Sequence, residues 1–193
     1  MRIEIFIILL CIVSQSTISL AQKPGNEKHV RYHSINQVGV LAGSSEAALQ
    51  LQTINGIKCK TWFAGLGVGL DYYYARSVPV FLDVRKNIFN KGITPFIYAD
   101  GGYNFPWSSK KDDDKVLWEE KTNGGLYYEL GIGYKTPVFK KMQLLFSAGY
   151  NYKHLSKTVN AMPWLSIWPP PPNAYEQYEY SLRRVVIKAG LSF

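Results

Sequence analysis

The chain closes with the stretch that decides its fold: Leu182-Arg183-Arg184-Val185-Val186-Ile187-Lys188-Ala189-Gly190-Leu191-Ser192-Phe193. Read with a period of two, one face is apolar and carries Val185, Ile187, Ala189, Leu191 and Phe193. The opposite face is mostly polar, charged or small, and carries Arg184, Val186, Lys188, Gly190 and Ser192. Successive side chains of a β-strand point to opposite faces, and membrane barrels alternate an apolar outer face with a polar inner one. The stretch therefore predicts one strand of a barrel wall in a membrane.

The N-terminal segment has the pattern of a secretory signal peptide. Arg2 precedes an apolar core over residues 5–13, and small and polar residues lead to Ala21. That core is far shorter than the roughly twenty residues that a transmembrane helix needs. We predict a cleaved signal peptide over residues 1–21, a short periplasmic segment over 22–33 and a single barrel domain over 34–193.

Charge and cysteine content narrow the class further. The formal net charge is +8, but the basic residues are scattered, so we expect contact with anionic lipid headgroups and not with nucleic acid. Cleavage would leave Cys59 as the single cysteine, which excludes an intramolecular disulfide and predicts a small buried residue. His29, His33 and His154 have no metal-ligand spacing, so neither a metal nor another cofactor is predicted.

The rest of the chain divides into alternating segments separated by turn residues. Asn55-Gly56 is a strong signal for a type I′ hairpin turn. Short turns follow even-numbered segments and the two longest connections follow odd-numbered ones, as in outer-membrane barrels with short periplasmic turns and longer extracellular loops. We predict an all-β fold, an eight-stranded antiparallel up-and-down transmembrane barrel with both termini periplasmic. Its strands are placed near 34–43, 47–54, 57–74, 77–86, 93–107, 124–137, 142–155 and 177–193.

The two faces of the predicted strands differ sharply in composition. The outward set is apolar and uncharged, apart from Lys58, Lys60 and Lys86, which share its parity at the predicted periplasmic ends. The inward set contains many glycines, which would leave room for bulky neighbours such as Tyr73, Tyr98 and Tyr127. It also holds a network of charges, namely Asp71, Asp83, Asp100, Glu129, Arg85, Lys135, Lys153, Arg184 and Lys188.

Buried charges need partners, so we expect these acids and bases to pair inside the lumen. A soluble, lipocalin-like barrel with the faces reversed is the alternative. It fits poorly, because it would place the many large apolar side chains inside and the glycine-lined faces in water.

The chain resembles the small outer-membrane β-barrel proteins of Gram-negative bacteria, of the OmpA-transmembrane and OmpX type. It is similar in particular to the barrel-only family common in Bacteroidota. The resemblance rests on the signal peptide, the eight alternating segments, the stretches 65–72 and 98–103, and the terminal Phe193. It implies insertion by the barrel-assembly machinery and contact with outer-membrane lipid or lipopolysaccharide. It implies no particular ligand.

One constellation suggests an enzyme. His154-Leu155-Ser156 resembles the His-x-Ser of outer-membrane lipid A deacylases, whose site lies on the lipid-facing wall. Parity places His154 and Ser156 on that outer face, and Glu176 or Glu179 would orient the histidine as the third member of a triad. Lys157 stands where those enzymes resemble one another in having Asn.

Two predicted extracellular loops carry the remaining candidates. Asp112-Asp113-Asp114 offers carboxylates but lacks the ligand spacing of a calcium loop, so we interpret it as a solvated loop tip. The other loop would present a stiff, apolar surface to an extracellular or envelope protein partner. Its residues are Trp164, Trp168, Pro169, Pro170, Pro171 and Pro172.

The leading hypothesis is a non-enzymatic outer-membrane barrel with a structural, envelope-integrity or surface-recognition role. Its lumen would be plugged by the polar network. A lipid hydrolase using His154 and Ser156 is the first alternative, and a narrow pore is the second.

Overall fold

The computed structural model describes residues 30–44, 46–107, 120–139, 142–160 and 175–193. Along these ranges the strands are β1 Val30–Ala42, β2 Ala47–Cys59, β3 Trp62–Asp71, β4 Ser77–Asn87, β5 Thr94–Pro106, β6 Glu120–Asn123, β7 Gly125–Phe139, β8 Met142–Asn160 and β9 Tyr175–Ser192. β6 and β7 adjoin Gly124 and both pair with β8, so they form one strand of the wall. In the described part of the chain, no helix is long and apolar enough to cross a membrane.

The strands form a closed ring. Each strand of the wall pairs antiparallel with the next one along the chain, from β1 through to β9. β9 then pairs with β1, from Ile35 opposite Ser192 to Ala42 opposite Val185. The prediction of an eight-stranded antiparallel up-and-down barrel is confirmed.

The two ends of the ring differ in their connections. At one end, the short-turn end, β2 leads to β3 through residues 60–61, β4 leads to β5 through residues 88–93, and β7 ends close in sequence to the start of β8. Residues 30 and 193 lie at the same end. At the other, the loop end, β1 ends and β2 begins, β3 leads to β4 through residues 72–76, β5 ends and β6 begins, and β8 ends and β9 begins. The predicted segregation of short turns from the two longest connections is confirmed.

The predicted hairpin turn at Asn55-Gly56 is wrong. Both residues lie inside β2, which turns into β3 at Lys60-Thr61, where Lys60 has a φ of 54°. A Cβ on Gly56 would collide with the carbonyl oxygen of Ala64, so this glycine permits close approach of β3 instead of a turn. Continuous pairing of β2 with β1 from Ala47 to Cys59 overrides the local signal of the dipeptide.

Two further expectations fail for the same reason. Because β2 runs on to Cys59, its odd-numbered residues stay on the outer face and its even-numbered residues on the inner face. Cys59 is therefore exposed and not buried. Lys58 belongs to the inner face, at the short-turn end of the lumen. Lys86 does lie on the outer face, with its Nζ 4.8 Å from the centre of the Trp62 ring.

The outer face is apolar and exposed, whereas the inner face is filled. Leu66, Ile132 and Ile187 are each more than 60% exposed on the outside. Tyr73, Tyr98 and Tyr127 are all buried, as the glycine pattern predicts. The main buried cluster also holds rings and aliphatic side chains that the sequence did not single out: Ile35, Ile54, Phe63, Phe81, Phe96 and Leu145.

Glycines make space for several of these rings. A Cβ on Gly131 would lie 2.6 Å from Tyr98, and one on Gly149 would lie 2.5 Å from the Tyr98 hydroxyl. Side chains at either position would therefore displace the ring of Tyr98 from the lumen.

Candidate functional site

The charged side chains predicted for the lumen are all buried, and none is more than 6% exposed. They lie at different heights in the barrel, and we name each group by its position. The loop-end group consists of Asp71, Lys153 and Arg184, and the central group consists of Glu129 and Lys188. The short-turn group consists of Asp83, Arg85 and Lys135, while Asp100 lies on β5, opposite Asp83 and Glu129 in the strand register.

The loop-end group centres on the carboxylate of Asp71. Arg184 Nη1 donates to Asp71 Oδ2 at 2.7 Å, and Lys153 Nζ lies 3.2 Å from the same oxygen. Lys153 also donates to the carbonyl oxygen of Tyr73 at 3.0 Å and to Ser77 Oγ at 2.9 Å. One acid therefore pairs with both bases, and the backbone carbonyl oxygens of Tyr73 and Ala75 complete the coordination of the lysine.

The central group is built on Glu129. Its Oε1 accepts from Lys188 Nζ and from the hydroxyl of Tyr98, the latter at 2.8 Å. Its Oε2 accepts from the hydroxyl of Tyr127 at 3.0 Å and from Asn151 Nδ2 at 2.7 Å. Both oxygens are satisfied, which is what a fully buried carboxylate requires.

Tyr127 carries this network across the lumen. Its hydroxyl accepts from Gln50 Nε2 at 3.1 Å and from Gln52 Nε2 at 3.0 Å, while donating to Glu129. Gln50 and Gln52 lie on β2, and Tyr127 lies on β7. In the ring order these two strands are opposite each other, with three wall strands between them on either side. Side chains thus join opposite walls of the barrel.

Asp100 departs from the expectation that every lumen acid meets a base. Its side chain is buried, and neither Oδ1 nor Oδ2 has a hydrogen-bond partner. In the strand register it lies between Asp83 and Glu129, two acids that already have their own basic partners. Parity identified the face of Asp100 but could not identify its neighbours.

The short-turn group has an excess of positive charge. Arg85 donates through Nε and Nη2 to Asp83, with Nη2 2.7 Å from Asp83 Oδ2. The guanidinium also lies 5.6 Å from the ring centre of Phe96 and 5.4 Å from that of Tyr98. Lys135, only 6% exposed, forms no ion pair with an acid in the described ranges.

The residues of the candidate triad are close in sequence but are not assembled into one. Across the described residues, no hydrogen bond joins His154 to Ser156 or to either glutamate. Ser156 Oγ instead accepts from Gln177 Nε2 at 3.0 Å, and Glu176 accepts from the hydroxyl of Tyr178 at 2.5 Å. The contacts between nucleophile, base and orienting acid that define a triad are thus missing here.

The loop candidates lie outside the described residues. These are Asp112 to Asp114 and the partner loop with Trp164, Trp168 and Pro169 to Pro172. Among the side chains that the structure does describe, no group of three or more His, Cys, Asp or Glu could hold a metal ion.

Neutral amides are the part of the site that the sequence reasoning missed. Gln37 donates to Gln52 at 2.6 Å, and Asn151 links Arg184 to Glu129. Each amide has the inward parity of its strand, so the signal was present. These side chains carry no formal charge and so fall outside the predicted charge network. An amide nevertheless both donates and accepts hydrogen bonds, and it can therefore join charged groups.

The sequence and the fold can be compared with those of known proteins. No protein-family model matches the sequence, and no curated protein matches it either. Among solved structures, the chain is similar to Neisserial surface protein A, with a TM-score of 0.57 and 10% identity over 84% of this chain and 97% of that one. It also matches the outer membrane protein OprG from Pseudomonas aeruginosa, with a TM-score of 0.45 and 10% identity over 83% and 94%. At 10% identity, the likeness to Neisserial surface protein A shows a shared fold alone: the chain has the eight-stranded antiparallel barrel fold of that protein.

Proposed function

We propose that the chain is an outer-membrane barrel of a Gram-negative bacterium whose lumen is closed by its own polar side chains. Its role is structural or recognition-related and non-enzymatic. The observation that carries this proposal is the Tyr127 network, which fills the lumen from one wall to the opposite one. Export through a cleaved signal peptide and insertion by the barrel-assembly machinery belong to the same proposal.

The outer surface supports a membrane location. Large apolar side chains cover the outward face of every wall strand, a surface that water would strongly disfavour. Aromatic side chains collect near both ends, as at the two interfaces of a bilayer. Exposed rings include Tyr72, Tyr74, Tyr103, Phe105 and Trp107 towards the loop end, and Tyr32, Trp62, Phe89, Phe139 and Phe193 towards the short-turn end.

The filled lumen favours a plug over a pore. An eight-stranded barrel is only wide enough for side chains to fill its interior. Here the interior holds the ion pairs of the loop-end group and the hydrogen-bonded side chains of the central group. The aromatic rings of the main buried cluster also fill it. An ion crossing the barrel would have to displace Tyr127 and break the contacts of Glu129.

The closed lumen predicts an electrically silent protein. We expect the purified full-length chain to add no conductance to a planar lipid bilayer, because the side chains that fill the lumen are held from several strands. Tyr127→Ala should raise conductance, since it removes the ring that joins the opposite walls. Tyr103→Ala, a matched change on the exposed outer face, should stay silent. Stable unitary currents from the wild-type protein would contradict the plug and favour a pore.

The partner loop is proposed as the recognition element. Deleting residues 164–172 should abolish co-purification of a protein partner after mild detergent extraction, because it removes both tryptophans and the proline run. Barrel insertion should be unaffected, as tested by the heat-dependent mobility of the protein in gels. If the deleted variant retains the same co-purifying protein, recognition does not depend on this loop.

A further inference from the structure

The short-turn end of the lumen contains a small cavity of about 20 Å³. Its lining is rich in bases and, among the described side chains, contains no carboxylate. The lining residues are His33, Ile35, Lys58, Phe63, Arg85, Asn87, Phe96, Lys135, Gln143, Leu145 and Ser192. We call this space the short-turn cavity.

No acidic side chain that the structure describes lines the short-turn cavity to balance its positive charge. Asp83 engages Arg85 through Nε and Nη2, which leaves Arg85 Nη1 buried and without a partner. Lys58 and Lys135 form no ion pair with any described acid. Asp100 and Glu129 are not among the residues that line the cavity, and Glu129 is paired with Lys188. Buried cations without counter-charges are costly, so this arrangement calls for a negative charge.

Polar atoms that line the cavity are also unsatisfied. Ser192 is 1% exposed, and its hydroxyl has no hydrogen-bond partner, so it can donate into the cavity. Gln143 Oε1 is buried and unpartnered as well. A half-turn of that amide would exchange the oxygen for an N–H donor. Arg85, Lys135, Gln143 and Ser192 would then all offer donors around the same small cavity.

The size of the cavity limits what can neutralise it. A space needs about 10–15 Å³ to hold one water-sized occupant, so a cavity of about 20 Å³ accepts a single small ion. A water molecule would fit, but it carries no charge to offset the bases.

We propose that the short-turn cavity binds one monatomic anion of the halide class, chloride being the form present in ordinary media. The anion accepts hydrogen bonds from Arg85 Nη1, Lys135 and Ser192. It supplies the counter-charge that the protein side chains lack at this end of the lumen. The rings of Phe63 and Phe96 also line the cavity, and both belong to the main buried cluster.

Halide-dependent stability tests this site. Urea unfolding of the full chain in detergent micelles would be compared in sodium chloride, sodium bromide and sodium gluconate at equal ionic strength. A ligand that binds the folded state stabilises it, so the midpoint should be higher in both halides than in gluconate. Crystals grown in bromide should show an anomalous peak within the cavity.

Single-residue variants test whether the halide effect on stability arises at the short-turn cavity. Lys135→Gln should lose the difference between halide and gluconate, whereas Lys86→Gln should keep it, because Lys86 lies on the outer face at the same end. If Lys135→Gln does not fold, Lys58→Gln serves the same purpose. Equal wild-type midpoints in halide and gluconate, a cavity without an anomalous peak, or full halide dependence in both lumen variants would overturn the proposal.

Discussion

Replacing Glu129 with alanine is expected to lower the free energy of unfolding by about 3–5 kcal/mol, the range for breaking a buried ion pair from one side. The change leaves the buried ammonium of Lys188 without its carboxylate partner; Lys188 is 2% exposed and donates to Glu129 and Gln52. It also removes the acceptor for Tyr98, Tyr127 and Asn151. The loss should appear as a lower midpoint in urea unfolding followed by tryptophan fluorescence in micelles.

Asp100→Asn is the matched control for this experiment. Asp100 is an equally buried acid on the adjacent strand, but its carboxylate has no hydrogen-bond partner. Replacing the acid with an amide should leave the midpoint unchanged or raise it, because no donor loses its acceptor and the cost of burying an unpaired carboxylate is removed. A loss for Asp100→Asn as large as that for Glu129→Ala would show that the pairing seen in the lumen does not govern stability.

Gly102→Val should disrupt the barrel to a similar extent, with a loss of about 3 kcal/mol or more in the free energy of unfolding, at the upper end of the cost of overpacking. A Cβ at this position would collide with the carbonyl oxygen of Val80 and lie 2.6 Å from the Cα of Phe81. Backbone atoms of a paired strand cannot move aside as a flexible side chain can. Much of the protein should therefore remain in the unfolded, heat-insensitive form on gels after refolding into micelles.

The neighbouring glycine provides the comparison. Gly101 lies on the outer face, and an added Cβ there would have no atom within 4 Å. Gly101→Val should fold with wild-type yield, although both variants make the same chemical change in the same strand. Equal folding yields for the two valine variants would mean that β4 and β5 do not approach each other as closely as the structure indicates.

The sequence was most predictive where one rule acted over many residues. Alternation along each strand identified the inner and outer faces of β3 to β5 and β7 to β9, because one face must suit an apolar medium throughout its length. The prediction failed at Asn55-Gly56, because a two-residue turn signal is local and is overridden here by the pairing of β2 with β1. The errors at Lys58 and Cys59 followed from that single misplaced turn.

The partners within the lumen could not be predicted in the same way. Which acid meets which base depends on the stagger between strands, and this stagger is set by the closure of the whole ring. Arg184 donates to Asp71 across the lumen from β9 to β3, while Asp100 accepts no hydrogen bond from any described residue. Strand parity gives the direction of a side chain but not its height along the barrel axis.

The pairing of β1 with β9 has a consequence for how the chain reaches its folded state. Ser34 and Phe193 exchange backbone hydrogen bonds of 3.1 and 2.9 Å, and they lie near opposite ends of the described chain. Contacts between such distant segments form slowly, because a long loop must close before they are made. Until the final strand is in place, β1 and β8 present unpaired edges that can join another chain. The folding pathway is therefore most vulnerable to aggregation just before its last step.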